Sequence, residues 1–171
     1  MSYLTFETER LYLRPTTIED AAFIFELLNS PKWIKFIGDR EIRSVEDAKS
    51  YILNKMTPQL EKLGYSNYTL ILKDKKIKIG TCGLYDREDM DGIDIGFAML
   101  PKFEGKGFGF EAANELKKAA NSEFGITELF GFTTKDNVSS QKLLIKLGLK
   151  LKGTVNLPDD EEELLLFVLK M

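Results

Sequence analysis

The sequence predicts an α+β fold built on one mixed central sheet, an antiparallel meander joined to a βαβ crossover. Three observations carry that expectation. Residues 67–100 hold three runs of strand-forming residues, separated by Asp74-Lys75 and by the acidic stretch DREDMDG at 86–92, so three strands follow one another as a meander. Residues 93–134 then read strand, helix, strand, the pattern of a crossover. Strand and helix do not alternate through the rest of the chain, which disfavours a doubly wound sheet.

The elements follow in order. ERLYLR at 9–14 alternates as a strand and Pro15 ends it. Thr17 reads as an N-cap with Asp20 at the third helical position, a short capping box. Ile18, Ala21, Phe25 and Leu28 then recur at helical spacing, so 18–29 is an amphipathic helix, closed by Pro31. WIKFIGDR at 33–40 is a short helix or turn. Ser44 caps a second long helix through about Leu63, and Gly64 ends it. NYTLILK at 67–73, Lys76 to Leu84 and Ile93 to Leu100 are the meander strands, with Pro101 closing the third. FEGKGFGFEA at 103–112 opens a helix running to about Ser122. LFGFTT at 129–134 is a strand, Val138 to Leu147 a helix with Gly148 as its C-cap. The last strands, 150–155 and 164–170, flank the acidic run PDDEEE. The order is β-αα-βββ-α-β-α-ββ. No repeat, linker or low-complexity tract divides it, so residues 1–171 form one domain.

A chain of 171 residues suits one domain that buries roughly 70% of its unfolded surface. A net charge of −3 gives no excess of basic charge for nucleic acid. The one cysteine, Cys82, allows no internal disulfide and makes a reducing compartment the default. The N-terminal MSYLTFETER carries charge early and lacks the apolar run of a signal peptide, and LLLFVL at 164–169 is too short to span a bilayer. A soluble cytoplasmic protein without nucleic-acid or membrane partners is expected. Histidine is absent, which removes histidine bases, Ser-His-Asp triads and histidine metal sites. Catalysis must run on carboxylates, tyrosines, the thiol, backbone amides or a cofactor, and no metal is expected.

The glycine stretch asks for a purpose. A helix N-terminus leaves its first four N–H groups unpaired and carries partial positive charge. Gly105, Gly107 and Gly109 let an anion approach that backbone, and Lys106 adds charge at the rim. The alternative is a plain glycine-rich turn. The spacing matches neither GxxxxGK[ST] nor G-x-G-x-x-G.

Taken with two further fragments, the stretch resembles a GNAT-type N-acetyltransferase, of the branch that includes the ribosomal-protein N-terminal (alanine/serine) acetyltransferases. That family's Q/R-x-x-G-x-G/A signature reads EGKGFG here, Glu104 to Gly109. ETERLYLRPTTIEDA at 7–21 looks like its opening strand and helix, DIGFAMLPKFEGKGFGFEA at 94–112 its fourth strand, loop and third helix, and DNVSSQKLLIKLGL at 136–149 its N-x-x-S…KLGF segment. The resemblance covers nearly the whole chain. It implies the GNAT fold, with helices on both faces of the sheet, and acetyl-CoA as co-substrate.

It also implies roles. The backbone of Glu104, Gly105, Lys106, Gly107, Phe108 and Gly109 would hold the pyrophosphate. Glu104 stands where the family has Gln or Arg, and its side chain is expected to point to solvent with only its backbone engaged. Main-chain groups of Phe97, Ala98 and Met99, on a strand that splays from its neighbour, would meet the thioester and pantetheine, while their side chains pack in the core. Asn137 either contacts the pantetheine or caps its helix, and Ser140 lies one turn on. Leu144 stands where many relatives carry a tyrosine acid, so no such acid carries over, and a thiol of pKa about 8.5 leaves as thiolate without one. Asp94 is either the general base or an exposed strand-edge aspartate; Glu104 is a weaker choice of base. Trp33, Phe36 and the GDR at 38–40 flank the acceptor groove, with Trp33 a pocket wall or a core plug. Asp86, Glu88, Asp89 and Asp91 form either a solvated turn or a rim that attracts a cationic acceptor. Cys82 reads as a buried, inert thiol.

The implied reaction is direct acetyl transfer to a primary amine, a peptide N-terminus or a small molecule, without covalent intermediate. A larger acyl-CoA donor remains open, as do a monomer or homodimer and the identity of the amine. The alternative from another class is an acyl-CoA-binding regulatory domain without turnover.

Overall fold

Runs of strand formers like those at 67–100 give strands buried nearly end to end, and the sheet they build has eight strands. The computed structural model describes residues 2–88, 90–158 and 161–171. The strands are β1 (Phe6–Glu7), β2 (Leu11–Pro15), β3 (Asn67–Leu72), β4 (Ile77–Asp86), β5 (Ile93–Met99), β6 (Glu128–Thr134), β7 (Lys150–Val155) and β8 (Leu164–Lys170), in the spatial order β1-β2-β3-β4-β5-β6-β8-β7. All neighbours are antiparallel except β5 and β6. The helices are α1 (Ala21–Leu28), α2 (Pro31–Phe36), α3 (Val45–Tyr51), α4 (Thr57–Leu63), α5 (Phe108–Ser122) and α6 (Val138–Lys146). Every expected element is present. The apolar core runs through Leu11, Leu13, Ile24, Leu27, Leu70 and Leu116, all fully buried. Asp159 and Asp160 of the expected acidic run, and Asp89 of the other, lie outside the described residues.

Two departures from the expected helices have local causes. The first turn of the 18–29 helix is 3-10, Ile18–Asp20, before α1 begins. Thr17 supplies the predicted cap: its Oγ1 accepts from the Glu19 N–H, and its own N–H donates to Asp20. The Asp20 carboxylate is fully buried and also receives Arg14 in a two-pronged contact (2.8 Å each), Lys78 (2.7 Å) and the Thr69 hydroxyl. One carboxylate therefore ties the start of α1 to β2, β3 and β4.

The second long helix is interrupted by a π turn, Ile52–Met56, between α3 and α4. The Thr57 N–H bonds to the carbonyl of Ile52, five residues back. Pro58 follows immediately, and a proline ring clashes with the carbonyl four residues before it. The wider turn relieves that clash.

The feature that matters most is a failure to pair. β5 keeps seven residue pairs with β4, and β6 keeps seven with β8. β5 and β6 share only Ile93↔Leu129 and Asp94↔Phe130 before they diverge. The sheet opens there into a V.

Burial pushes the Asp20 carboxyl up, but the hydrogen bonds from Arg14, Lys78 and Thr17 outweigh it and hold the group far below the usual carboxylate range. A depressed carboxylate contributes stability above its unfolded value, and that contribution is lost only as pH falls through the folded value. Asp20→Asn leaves two cations facing a neutral group, so urea unfolding at pH 7 should show a loss of about 3 kcal/mol.

Candidate active site

The V exposes main-chain groups that a closed sheet would use. In an antiparallel ladder, alternate residues bond to one neighbour and the rest face the other way. Leu84 N–H donates to Ser66 and Leu100 N–H to Ile79. That phase, with the register Thr81↔Ala98 and Cys82↔Phe97, turns the N–H of Ala98 toward β4 and those of Phe97 and Met99 toward the gap. Phe97 to Met99 are one group when read along the chain; the ladder separates them.

Next along the chain, six consecutive backbone N–H groups, Gly105 to Phe110, find no acceptor among the described residues. The first N–H of α5 with an acceptor is that of Glu111, which donates to Gly107. Gly105 and Gly107 sit at φ 72° and 83°, the left-handed region that costs an ordinary residue roughly 1–2 kcal/mol, and no side chain caps the helix. A helix of 15 residues thus begins with its donors bare. The loop is held from outside. The Arg10 guanidinium donates to Glu111 (2.7 Å) and to the Lys106 carbonyl (3.1 Å) and lies over the Phe108 ring. Glu111 also receives Thr8 and the Arg10 N–H. Burial raises the Glu111 carboxyl, yet these donors win and hold it ionised below its usual range.

The gap and the loop share a cleft of about 430 Å³. Phe97, Ala98, Met99, Glu104, Gly105, Gly107, Phe108, Gly109, Asn137 and Ser140 all line it. Lys106 does not: its ammonium lies over the Phe103 ring, so the expected charge at the rim is absent and only its main chain is available. Glu104 also departs from expectation. Its side chain is not turned out to solvent but pairs with Lys32 on α2 (2.9 Å) at the cleft mouth. An ammonium brought by α2 compensates the carboxylate, which is why it can face inward. Asn137 makes the expected cap and also lines the cleft. Its Oδ1 accepts from the Ser140 N–H as the α6 cap, while its Nδ2 has no acceptor among the described residues. Lys142 and Lys146, one turn apart on α6, add cations that went unread in the sequence.

Behind the same V lies a second cleft of about 360 Å³. Trp33, Phe36, Ile37, Phe97, Asn137 and Ser140 line both, so the two meet at the gap. Trp33 is therefore a wall, and its buried indole N–H has no acceptor among the described residues. Asp94 lies at the apex, in the last β5–β6 pair, 5% exposed. It is not the exposed edge aspartate that was the alternative. Burial pushes its carboxyl up, and the Arg87 guanidinium at 2.6 Å pulls it only partly back. Arg87 in turn lies between the rings of Tyr85 and Phe132. Tyr85, whose phenol burial pushes well up, lies across Gly83 and Gly96 and donates to Asn67; a Cβ on Gly83 would come within 2.4 Å of its ring. Of the described acidic-turn carboxylates only that of Asp86 lines this cleft; Glu88 and Asp91 do not, and Asp89 is outside the described residues. Leu144 is buried against Gly131, away from both clefts. Cys82 is fully buried with its thiol pushed up to about 12 by burial, and is inert as expected. Tyr85, Arg87 and Lys32 had no signal in the sequence, because strand partners and helix placement bring them in.

Bare amides at one end and an unpaired strand edge at the other suit a long ligand with a diphosphate and an amide-bearing arm, which is the chemistry of acetyl-CoA.

Residues 10–150 match the family described as acetyltransferase (GNAT) domain. The uncharacterized N-acetyltransferase YoaA of Bacillus subtilis is 28% identical over 150 residues, 87% of this chain and 84% of that protein. The acetyltransferase of Agrobacterium tumefaciens superposes with a TM-score of 0.83 at 20% identity, covering 100% of this chain and 96% of that one. The ribosomal-protein-S5-alanine acetyltransferase of Vibrio fischeri does so with a TM-score of 0.80 at 19% identity, covering 98% and 96%. Both structural likenesses concern the fold.

Glu104→Gln removes the carboxylate at the cleft mouth and releases Lys32. Calorimetric titration should show acetyl-CoA binding about threefold to tenfold tighter, the scale of one partly exposed charge pair.

Proposed function

This chain belongs to the acetyltransferase (GNAT) domain family, and we propose from that membership how its residues divide the work of moving an acetyl group from acetyl-CoA to a primary amine. The observation that supports the division best is the run of six unpaired amides ending where the sheet opens. Bound acetyl-CoA supplies an acetyl group activated as a thioester. The N–H groups of Gly105 to Phe110 hold its diphosphate, with Lys142 and Lys146 adding charge. The free edge of β5 and the Asn137 Nδ2 hold the arm, and Ser140 lies beside it.

The Phe97 N–H polarises the thioester carbonyl where the clefts meet, and the Met99 N–H, about 7 Å further along the strand, meets the pantetheine. The amine enters through the second cleft, past Trp33 and Phe36. Asp94 takes its proton: a carboxylate raised by burial is a better base than an exposed one, and Arg87 fixes its orientation. No side chain is assigned as acid to the departing thiol.

The amine is a peptide N-terminus or a small molecule, and the donor is acetyl-CoA rather than a bulkier acyl-CoA. No helix among the described residues is long and apolar enough to cross a membrane. A cytoplasmic enzyme, monomer or homodimer and metal-free, is the reading we adopt.

Calorimetry with acetyl-CoA tests the loop: native protein should bind in the micromolar range, and Gly107→Val should not, since it forces a branched side chain into φ 83° and toward Arg10. An intact affinity in that variant would move the diphosphate elsewhere. Asp94→Asn should keep acetyl-CoA affinity and lower thiol release with an amine about 100-fold or more. Unchanged turnover would remove Asp94 from the chemistry.

A further inference from the structure

The second cleft has a charge pattern that the acetyltransferase reading does not use. Asp94 and Arg87 neutralise each other. Three charged side chains remain on its wall: Arg40, Lys55 and Asp86. Among the described residues Arg40 and Lys55 have no ion pair or hydrogen-bond partner, and neither does the Asp86 carboxylate. Among the described residues the cleft therefore offers two uncompensated cations against one carboxylate. Of the two readings of the DREDMDG turn, the acidic rim is the one this pattern runs against.

The cations come from separate elements. Arg40 follows α2, and Lys55 belongs to the π turn. Four α-helical residues drift about 40° around the axis, and the wider π turn offsets that drift. Tyr51, Lys55 and Gln59 accordingly share the face turned to the cleft. Gln59 pins this face to the sheet: its Nε2 donates to the carbonyls of Leu84 (2.7 Å) and Tyr65, and its Oε1 accepts from the Asp86 N–H. Lys55, one turn earlier, is held over the cleft rather than left on a free surface.

We infer that Arg40 and Lys55 form a subsite for an anionic group on the acceptor, so that the substrate is an amine that also bears a carboxylate or a phosphate. This rests on the acetyltransferase reading. Asp86 then faces the ammonium end before it loses its proton, and Arg40 and Lys55 take the other end. A polyamine meets two cations and one carboxylate, and is disfavoured.

Matched probes test it: alanine against alaninamide, phosphoethanolamine against ethanolamine, and spermidine as the polycation. Each is scored twice, by thiol release with acetyl-CoA and by calorimetric binding to the protein saturated with CoA. The expected result is that at least one anion-bearing amine binds and turns over with a KM about tenfold or more below its uncharged match. The pair that shows it tells carboxylate from phosphate. Arg40→Gln and Lys55→Gln, both at exposed positions, should each raise that KM about tenfold, leave kcat within about twofold, and leave acetyl-CoA affinity unchanged. Equal KM values within both pairs, preference for spermidine, absence of binding by both anionic probes, or an unmoved KM in both variants overturns the subsite while leaving acetyl transfer standing. Absence of acetyl-CoA binding by the native protein overturns the acetyltransferase reading, and the subsite with it.

Discussion

Two residue pairs hold β5 to β6, and the site depends on the separation that follows. A sheet that stays closed satisfies its own backbone and has nothing to offer a ligand. Here β4 keeps β5 aligned and β8 keeps β6 aligned, so each strand is fixed by its outer neighbour while the inner seam parts. The main-chain donors at Phe97 and Met99 are left without strand partners, on a backbone too well supported to collapse onto them. Rigid, unsatisfied donors need no reorganisation when charge develops opposite them.

The supports lie well away from the seam. Asp20 gathers β2, β3 and β4 under the start of α1. Arg10 and Glu111 tie the turn before β2 to the glycine loop and α5. The Arg10–Glu111 cluster grips the loop from outside, so the loop's positive φ angles are supported by contacts to other elements.

Much of this was legible in the sequence for identifiable reasons. Runs of strand formers between turn residues placed the strands of the meander, Thr17 and Ser44 announced the caps they make, and Gly64 and Gly148 ended helices at positive φ. These are local signals. The glycine loop was legible because backbone that must be bare leaves few residue choices. What stayed hidden depended on elements far apart in sequence. Glu104 met Lys32 because α2 lies across the loop, and Asp94 is buried at the seam where β6 pairs with β5 opposite Phe130. The charge of the second cleft was hidden for the same reason: only Asp86 among the turn's described carboxylates lines it, which fits the solvated-turn alternative, while Arg40 and Lys55 arrive from elsewhere. The π turn had a local cause in Pro58.

The six residues common to both clefts have a consequence for kinetic order. A wall with two faces is finished on each face only when the other is occupied, so Trp33, Phe36 and Phe97 set the shape that the amine meets according to what lies behind them. Reaction then belongs to a ternary complex, in which the donor completes the acceptor's pocket. Initial-rate lines at fixed donor levels would converge rather than run parallel, and an abortive complex of product thiol with fresh amine becomes the natural form of product inhibition.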